Sequence, residues 1–282
     1  MSSLLGAQRR RQILDLLDAQ GAVRAQAVAD QLEVSVMTVR RDIAHLAERG
    51  LCVKVHGGAA KGGQAAQEPG FLAKADQAVE TKQALAKVAA ALVQPGQAVG
   101  ISAGTTTFWV AAELASRAAA DGITVVTNSL PATEPFAAHG AAANCLLTGG
   151  VRTPSQALVG PAAEATLSSL QLDWLFLGVH GISLKGGLTT PNMAEAATNQ
   201  ALIRAANRTV VVADSSKWGL TGLVRIAPIE TAANLITDSG LPAAGARQLR
   251  QRTELVLVPV PAGAAGAAGA AGASLSEKDP AR

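Results

Sequence analysis

Apolar positions recur at helical spacing through the first fifty residues. Gln8 to Gln20 carries Ile13, Leu14, Leu16 and Leu17 and stops at Gly21, which predicts an amphipathic helix. A shorter helix follows over Ala25 to Leu32, with Val28, Ala29 and Leu32 inward, and only Glu33 and Val34 separate it from Ser35. Ser35 is a good N-cap and Gly50 a good stop, so the third helix runs between them. On a 3.6-residue period Val36, Val39, Ile43 and Leu46 share one stripe. Met37, Arg41, Ala44 and His45 point away from it, and Thr38 and Arg40 lie on the flanks. Two helices so spaced make a helix-turn-helix. Leu51, Val53 and Val55 then alternate with Cys52, Lys54 and His56 before two glycines, which adds a strand and turn, the wing of a winged helix-turn-helix.

Residues 59 to 70 are small, polar and glycine-rich, the composition of a linker. The expected division is a winged helix-turn-helix domain over 5–60, a linker over 61–71, a second domain over 72–260 and a tail over 261–282. A long helical pattern from Phe71 to Val93 opens the second domain and ends at Pro95-Gly96. Strands are expected at 98–102, 123–127, 144–148, 175–179, 209–213, 234–237 and 255–258. Helices are expected between them at 107–117, 131–138, 161–169 and 193–206. Short apolar strands spaced by helices argue for a mainly parallel sheet covered on both faces, hence an α/β domain. The tail repeats Gly and Ala and then turns charged, so it is expected to be disordered.

Composition sharpens this picture at three points. Of 282 residues 49% are hydrophobic, enough for a buried core. The net charge of +3 lies entirely in residues 1–61, with nine Lys or Arg against six Asp or Glu, while the remainder holds fifteen of each. So small a surplus binds DNA weakly in one copy, which points to a homo-oligomer with half-sites roughly 34 Å apart or a multiple of that. Cys52 and Cys145 match no metal spacing and read as reduced core thiols. No apolar run approaches a membrane span and no signal-peptide pattern opens the chain, so no membrane partner and a cytoplasmic location are expected.

The third helix carries donors suited to the major groove, where the arginine fork matches guanine O6 and N7 and hydroxyls reach phosphates or bases. Arg41 is expected on the groove floor, Arg40, Thr38 and Ser35 at its edge or on the backbone, and Lys54 and His56 on phosphate from the wing. Arg9 and Arg10, within the run Arg9-Arg10-Arg11, are expected to clamp phosphate. In the second domain, corners beyond the strand ends suit an anion, because helix N-termini there offer free N–H groups. Gly104-Thr105-Thr106-Thr107, Thr127-Asn128-Ser129 and Asp214-Ser215-Ser216-Lys217 are three such corners, and Gly149-Gly150 with Arg152 ends a strand in the same way. Together they offer close backbone approach, hydroxyls and one ammonium, a phosphate and polyol site. His180 and Glu195 rank below them, each with a structural reading. No catalytic residue, cofactor or metal is expected: Glu195 and Asp214 are the carboxylates placed near these corners, and neither comes with a catalytic motif.

These stretches together resemble the DeoR-type family of bacterial transcriptional regulators. The resemblance rests on Val34-Ser-Val-Met-Thr-Val-Arg-Arg-Asp-Ile43, Val55-His-Gly-Gly-Ala59, Ala103-Gly-Thr-Thr-Thr107, Val126-Thr-Asn-Ser129, Leu147-Thr-Gly-Gly150, Leu158-Val-Gly160, Asp173-Trp-Leu-Phe-Leu-Gly178 and Asp214-Ser-Ser-Lys217. It implies a winged helix-turn-helix joined to a sugar-phosphate sensor domain that looks like ribose-phosphate isomerase and CoA-transferase folds. It implies double-stranded operator DNA and a phosphorylated sugar or polyol effector as partners, with Gly104, Thr105, Thr106, Asn128, Ser129 and Lys217 on the effector. Ser102 and Asn199 depart from the family, which often has an acidic residue and a lysine there. The resulting function is a repressor of a carbohydrate operon released by its ligand; a sugar-phosphate isomerase-like enzyme with an accessory DNA-binding module is the alternative.

Overall fold

The structure is a computed structural model that describes residues 6–20, 22–48, 51–55, 57–60 and 70–260. Residues 61–69 of the expected linker over 61–71, the tail, His56 and the helix stops at Gly21 and Gly50 lie outside the described residues.

The N-terminal unit runs α1 (Gly6–Gln20), β1 (Ala22–Arg24), α2 (Ala25–Gln31), α3 (Val36–Glu48), β2 (Val53–Val55) and β3 (Gly58–Ala60). The strands pair antiparallel in the order β1-β3-β2. Ile13, Leu17, Val28, Ala29, Val39, Ile43, Leu46 and Cys52 form its core. The helical stripe read from the sequence is therefore the packing stripe, while Leu32 and Val36 sit at its margin. The wing extends one strand further than expected, into Ala59 and Ala60, because β3 bonds β1 on one side and β2 on the other.

Next come α4 (Phe71–Ala75), α5 (Val79–Ala90), β4 (Ala98–Ile101), α6 (Thr105–Ala115), α7 (Ala118–Asp121), β5 (Thr124–Thr127), α8 (Glu134–Ala138) and β6 (Cys145–Leu147). They are followed by β7 (Val151–Arg152), β8 (Leu158–Val159), α9 (Pro161–Ser168), β9 (Leu172–Leu177), β10 (Gly181–Ser183), β11 (Gly187–Thr190) and α10 (Met193–Ala205). The chain closes with β12 (Ala206–Val212), β13 (Val224–Ala227), β14 (Asn234–Asp238), α11 (Ala243–Arg250) and β15 (Glu254–Val258).

Among the described residues, seven strands form one sheet in the order β15-β14-β12-β9-β4-β5-β6. Every pair in it is parallel. These are the seven strands expected from the sequence, and their composition has a physical cause. A sheet buried on both faces needs apolar residues at successive positions, not alternate ones. In β9, Trp174 and Phe176 join one core with α5 and α6, whereas Leu175 and Leu177 join the other with α10 and α11. In β12, Val210 and Val212 divide from Val211 in the same way.

Two expectations are corrected. The segment 71–93 is two helices, broken at 76–78, where Ala78 sits in the left-handed region at φ 48° and ψ 43°. The break is held by the Lys82 ammonium, which donates to the Lys74 carbonyl at 2.6 Å and so caps α4. A second sheet, antiparallel and in the order β10-β11-β13, has no counterpart in the strand pattern of the sequence. It packs Ile182, Leu188 and Ile226 under α10.

Candidate functional site

The face available for DNA lies on α3. Ser35 Oγ accepts the Thr38 backbone N–H at 3.1 Å and shares a 2.8 Å hydrogen bond with Thr38 Oγ1, so the helix is N-capped as expected. Val39, Ile43 and Leu46 turn inward, which leaves Arg40 and Arg41 exposed and Met37 exposed at 66%. Thr38 is half-buried. Lys54 pairs through its backbone with Ala59 in the wing. The Gly57 carbonyl accepts from Ala25 N at 2.9 Å and ties the wing turn to α2.

Arg9 and Arg10, expected on phosphate, both meet a carboxylate of the same unit. Asp42, an acidic residue on the inner side of α3, is 4% exposed and needs a counter-ion there. Arg9 Nε donates to Asp42 Oδ2 at 2.5 Å, and Arg10 Nη1 reaches Oδ1 at 3.4 Å. Both guanidiniums thus join α1 to α3, and Arg9 keeps only 12% of its side chain exposed. Arg11 is the exposed member of that run.

The second cluster lies beyond the carboxyl ends of β4, β5, β9 and β12. Gly104 precedes α6, and a Cβ added there would meet Thr107 Oγ1 at 3.0 Å, so the residue must stay small. Thr107 is fully buried; its hydroxyl donates to the Ser102 carbonyl at 2.7 Å and fixes the start of α6. First-turn N–H groups of a helix have no carbonyl one turn back to bond, so those of α6 are donors for an anion. Ser102 is itself buried, and its Oγ accepts the Gly178 N–H at 2.9 Å, locking the end of β4 to the end of β9.

Asn128 and Ser129, expected on the effector, do other work. Asn128 is 1% exposed; its Oδ1 accepts Ala103 N at 2.9 Å and its Nδ2 donates to the Leu158 carbonyl at 3.1 Å. The side chain therefore joins β4, β5 and β8 and sets the position of the Gly104 turn. Ser129, equally buried, accepts Ala132 N at 3.4 Å at the start of the following turn. Gly149 and Gly150 both take positive φ, and a Cβ on Gly150 would fall 2.6 Å from the Val159 carbonyl oxygen. They link β6 to β7, the first strand of the β7–β8 hairpin, on which Arg152 is exposed. Thr105 is half-buried and Thr106 buried, both at the head of α6.

Lys217 closes the short 3-10 turn Ser215–Lys217 after β12 and is half-buried. That turn is held by Asp238 at the end of β14, which accepts Ser215 N at 2.6 Å, Ser215 Oγ at 2.7 Å and Gly240 N at 3.0 Å. Asp214 accepts from Ser216. Sequence reasoning misses Asp238, whose only signal is an acidic residue and glycine at a strand end. It also misses Lys82, 3% exposed near the start of α5. Burial pushes the Lys82 ammonium down to about 8, with Asp214 and Asp76 opposing the shift and Lys217 adding to it. Lys82 thus shares the end of β12 with one further ammonium, Lys217, and with the carboxylates of Asp214 and Asp76.

Glu195 is settled structurally: it accepts from Thr153 Oγ1 at 2.8 Å, from Ser155 Oγ and from Thr190 Oγ1 at 3.4 Å. It holds the β7–β8 loop to α10. His180 N donates to the Thr189 carbonyl at 3.0 Å, pinning it to β11. Asn199 is 7% exposed on α10. Burial raises both thiols, Cys52 and, to about 11, Cys145, so neither is a reactive thiolate at neutral pH. Among the described residues no group of acidic, His and Cys side chains is arranged to hold a metal. No helix there is long and apolar enough to cross a membrane.

Comparison with known proteins matches both units. Residues 9–62 match the model of the DeoR-like helix-turn-helix domain and residues 77–239 that of the DeoR C terminal sensor domain. The chain is 36% identical over 242 residues to the HTH-type transcriptional regulator GlpR of Haloferax volcanii, covering 85% of this chain and 92% of that one. It is 32% identical over 234 residues to the transcriptional repressor AccR of Agrobacterium fabrum, covering 82% of this chain and 89% of that one. Ribose 5-phosphate isomerase A of Methanocaldococcus jannaschii overlays in part, with a TM-score of 0.38 and 19% identity over 50% of this chain and 54% of that one. These relatives are named as transcriptional regulators, both family models match this chain, and the chain belongs to the DeoR family of DNA-binding transcriptional regulators.

Proposed function

We propose that the chain is a cytoplasmic repressor of a carbohydrate-metabolism operon, released from its operator by a phosphorylated sugar or polyol and acting as a homo-oligomer. Residues 5–60 form the DNA-binding unit, 61–71 the linker and 72–260 the sensor. The observation that carries the reading is the pairing of a capped helix, bare on its Arg40 and Arg41 face, with a sensor sheet edge that holds the head of α6 after β4 and, after β12, Lys217 within electrostatic reach of Lys82. The repressor named among its relatives supports the sign of regulation.

In the sensor, phosphate takes the first-turn N–H groups at Thr105, Thr106 and Thr107 together with Lys217 and Lys82. Asn128, Ser129, Gly149 and Gly150 position that corner through the backbone, and Arg152 lies at its hairpin rim. On DNA, Arg41 reads a base, Arg40 and Thr38 engage the groove edge, Ser35 sets the helix head, and Lys54 and His56 approach phosphate from the wing. A coupling of about 1–3 kcal/mol between the two sites changes operator affinity roughly 5- to 150-fold, enough for a switch.

Thermal unfolding with a panel of phosphorylated sugars and polyols tests the sensor. A ligand held at one hundred times its Kd stabilises the sensor by about 2.7 kcal/mol. The expected result is a shift from one phosphorylated compound and none from its dephosphorylated form. Equal shifts from both would remove the phosphate reading.

A further inference from the structure

Met37 is exposed at 66%, on the first turn of α3. The residues that follow it on the same face, at helical spacing of four and seven, are Arg41, exposed, and Ala44, half-buried. Ser35 and Thr38 cap the helix on either side of it, so the backbone that presents Met37 is fixed. The core stripe of Val39, Ile43 and Leu46 faces the other way, and Met37 takes no part in the core of its own unit. An unbranched thioether there is long enough to reach a groove floor and soft enough to fit an apolar surface.

The major groove offers one apolar group on its floor, the thymine C5-methyl. We infer that Met37 is a specificity-determining residue that reads a thymine methyl, one step along the groove from the base read by Arg41. The inference rests on the DNA-binding reading of α3 and adds to it a base identity. Arginine selects guanine through hydrogen bonds, whereas Met37 selects thymine by excluding water from a methyl pair. Loss of one methyl contact changes affinity about fourfold.

The test uses the full-length protein and the DNA sequence it enriches from a random duplex library. Each thymine of that sequence is replaced singly by deoxyuridine, which lacks only the 5-methyl group, and affinity is measured at fixed salt. The expected result is one thymine per half-site whose replacement weakens binding about fourfold. In Met37→Ala binding is weaker overall and that position no longer responds. Met37→Gln, whose amide pairs with adenine N6 and N7, is expected to enrich adenine at the same position. If no thymine responds in the wild type, or the deoxyuridine penalty persists in Met37→Ala, the Met37 inference is overturned and the DNA reading stands. If the library yields no enriched sequence, the DNA reading of α3 falls, and the inference with it.

Discussion

Replacing Lys82 by methionine tests whether a charged amine is held in the sensor against its solvation preference. The side chain is 3% exposed and titrates at about 8 in place of the ordinary 10.5. At about 1.4 kcal/mol per pH unit, that gap means burial of the charged form costs about 3 kcal/mol. The unfolded chain holds the proton more tightly than the folded one. Wild-type stability therefore rises with pH between about 8 and 10.5, and below that window the full penalty stands. The Lys82→Met variant bears no such penalty but leaves the Lys74 carbonyl without its 2.6 Å donor, a loss of about 1 kcal/mol. The variant is expected to be more stable by about 2 kcal/mol at pH 7, with that advantage gone by the upper end of the window. Urea unfolding of both proteins across the window, followed by circular dichroism, reads the difference directly. Stability curves that run parallel for the two proteins would refute the argument, since they would mean that Lys82 does not titrate there.

The remaining expectations concern other joints. Asp42→Ala removes the carboxylate that ties Arg9 and Arg10 to α3, a loss of about 1.5–3 kcal/mol, and is expected to lower the stability of the N-terminal unit while the sensor melts normally in calorimetry. Asn128→Ala strands the Ala103 N–H and the Leu158 carbonyl, each worth about 1–3 kcal/mol, and is expected to lower the sensor's melting temperature and its effector affinity together. Arg41→Ala is expected to lose about 1–3 kcal/mol at a single operator position, seen as relaxed preference there in binding-site selection. If bound phosphate meets Lys82, binding above pH 8 is expected to take up a proton, measurable as a buffer-dependent calorimetric heat.

How much of this is legible in the chain depends on the range of the forces involved. The seven parallel strands can be read because burial on both faces makes Leu172 to Leu177 and Thr209 to Val212 nearly continuous in apolar character. The antiparallel sheet cannot, since Gly181–Ser183 and Gly187–Thr190 are short and mix glycine, serine and threonine. Their cohesion comes from contacts such as Thr189 Oγ1, which accepts Gly222 N at 2.8 Å and donates to the Gly181 carbonyl at 3.1 Å. The break between α4 and α5 falls at Ala78, without the glycine or proline that would announce it. The Arg9–Asp42 pair is invisible to charge counting because its partners lie 33 residues apart. Lys82 reads as a solvated helix lysine until tertiary packing brings it within reach of Asp214 and Lys217. Asn128 stands out in the sequence, but its role is to bind backbone, a distinction set by burial that sequence spacing does not encode.

Operator retention tests the central claim most directly. The purified protein is bound to its own upstream DNA at fixed salt and challenged with phosphorylated sugars and polyols, for the wild type and Lys217→Ala. The account expects one phosphorylated compound to release the wild-type protein, and Lys217→Ala to stay bound at the same concentration. Retention of the wild type against every compound, or release of both proteins alike, would contradict it.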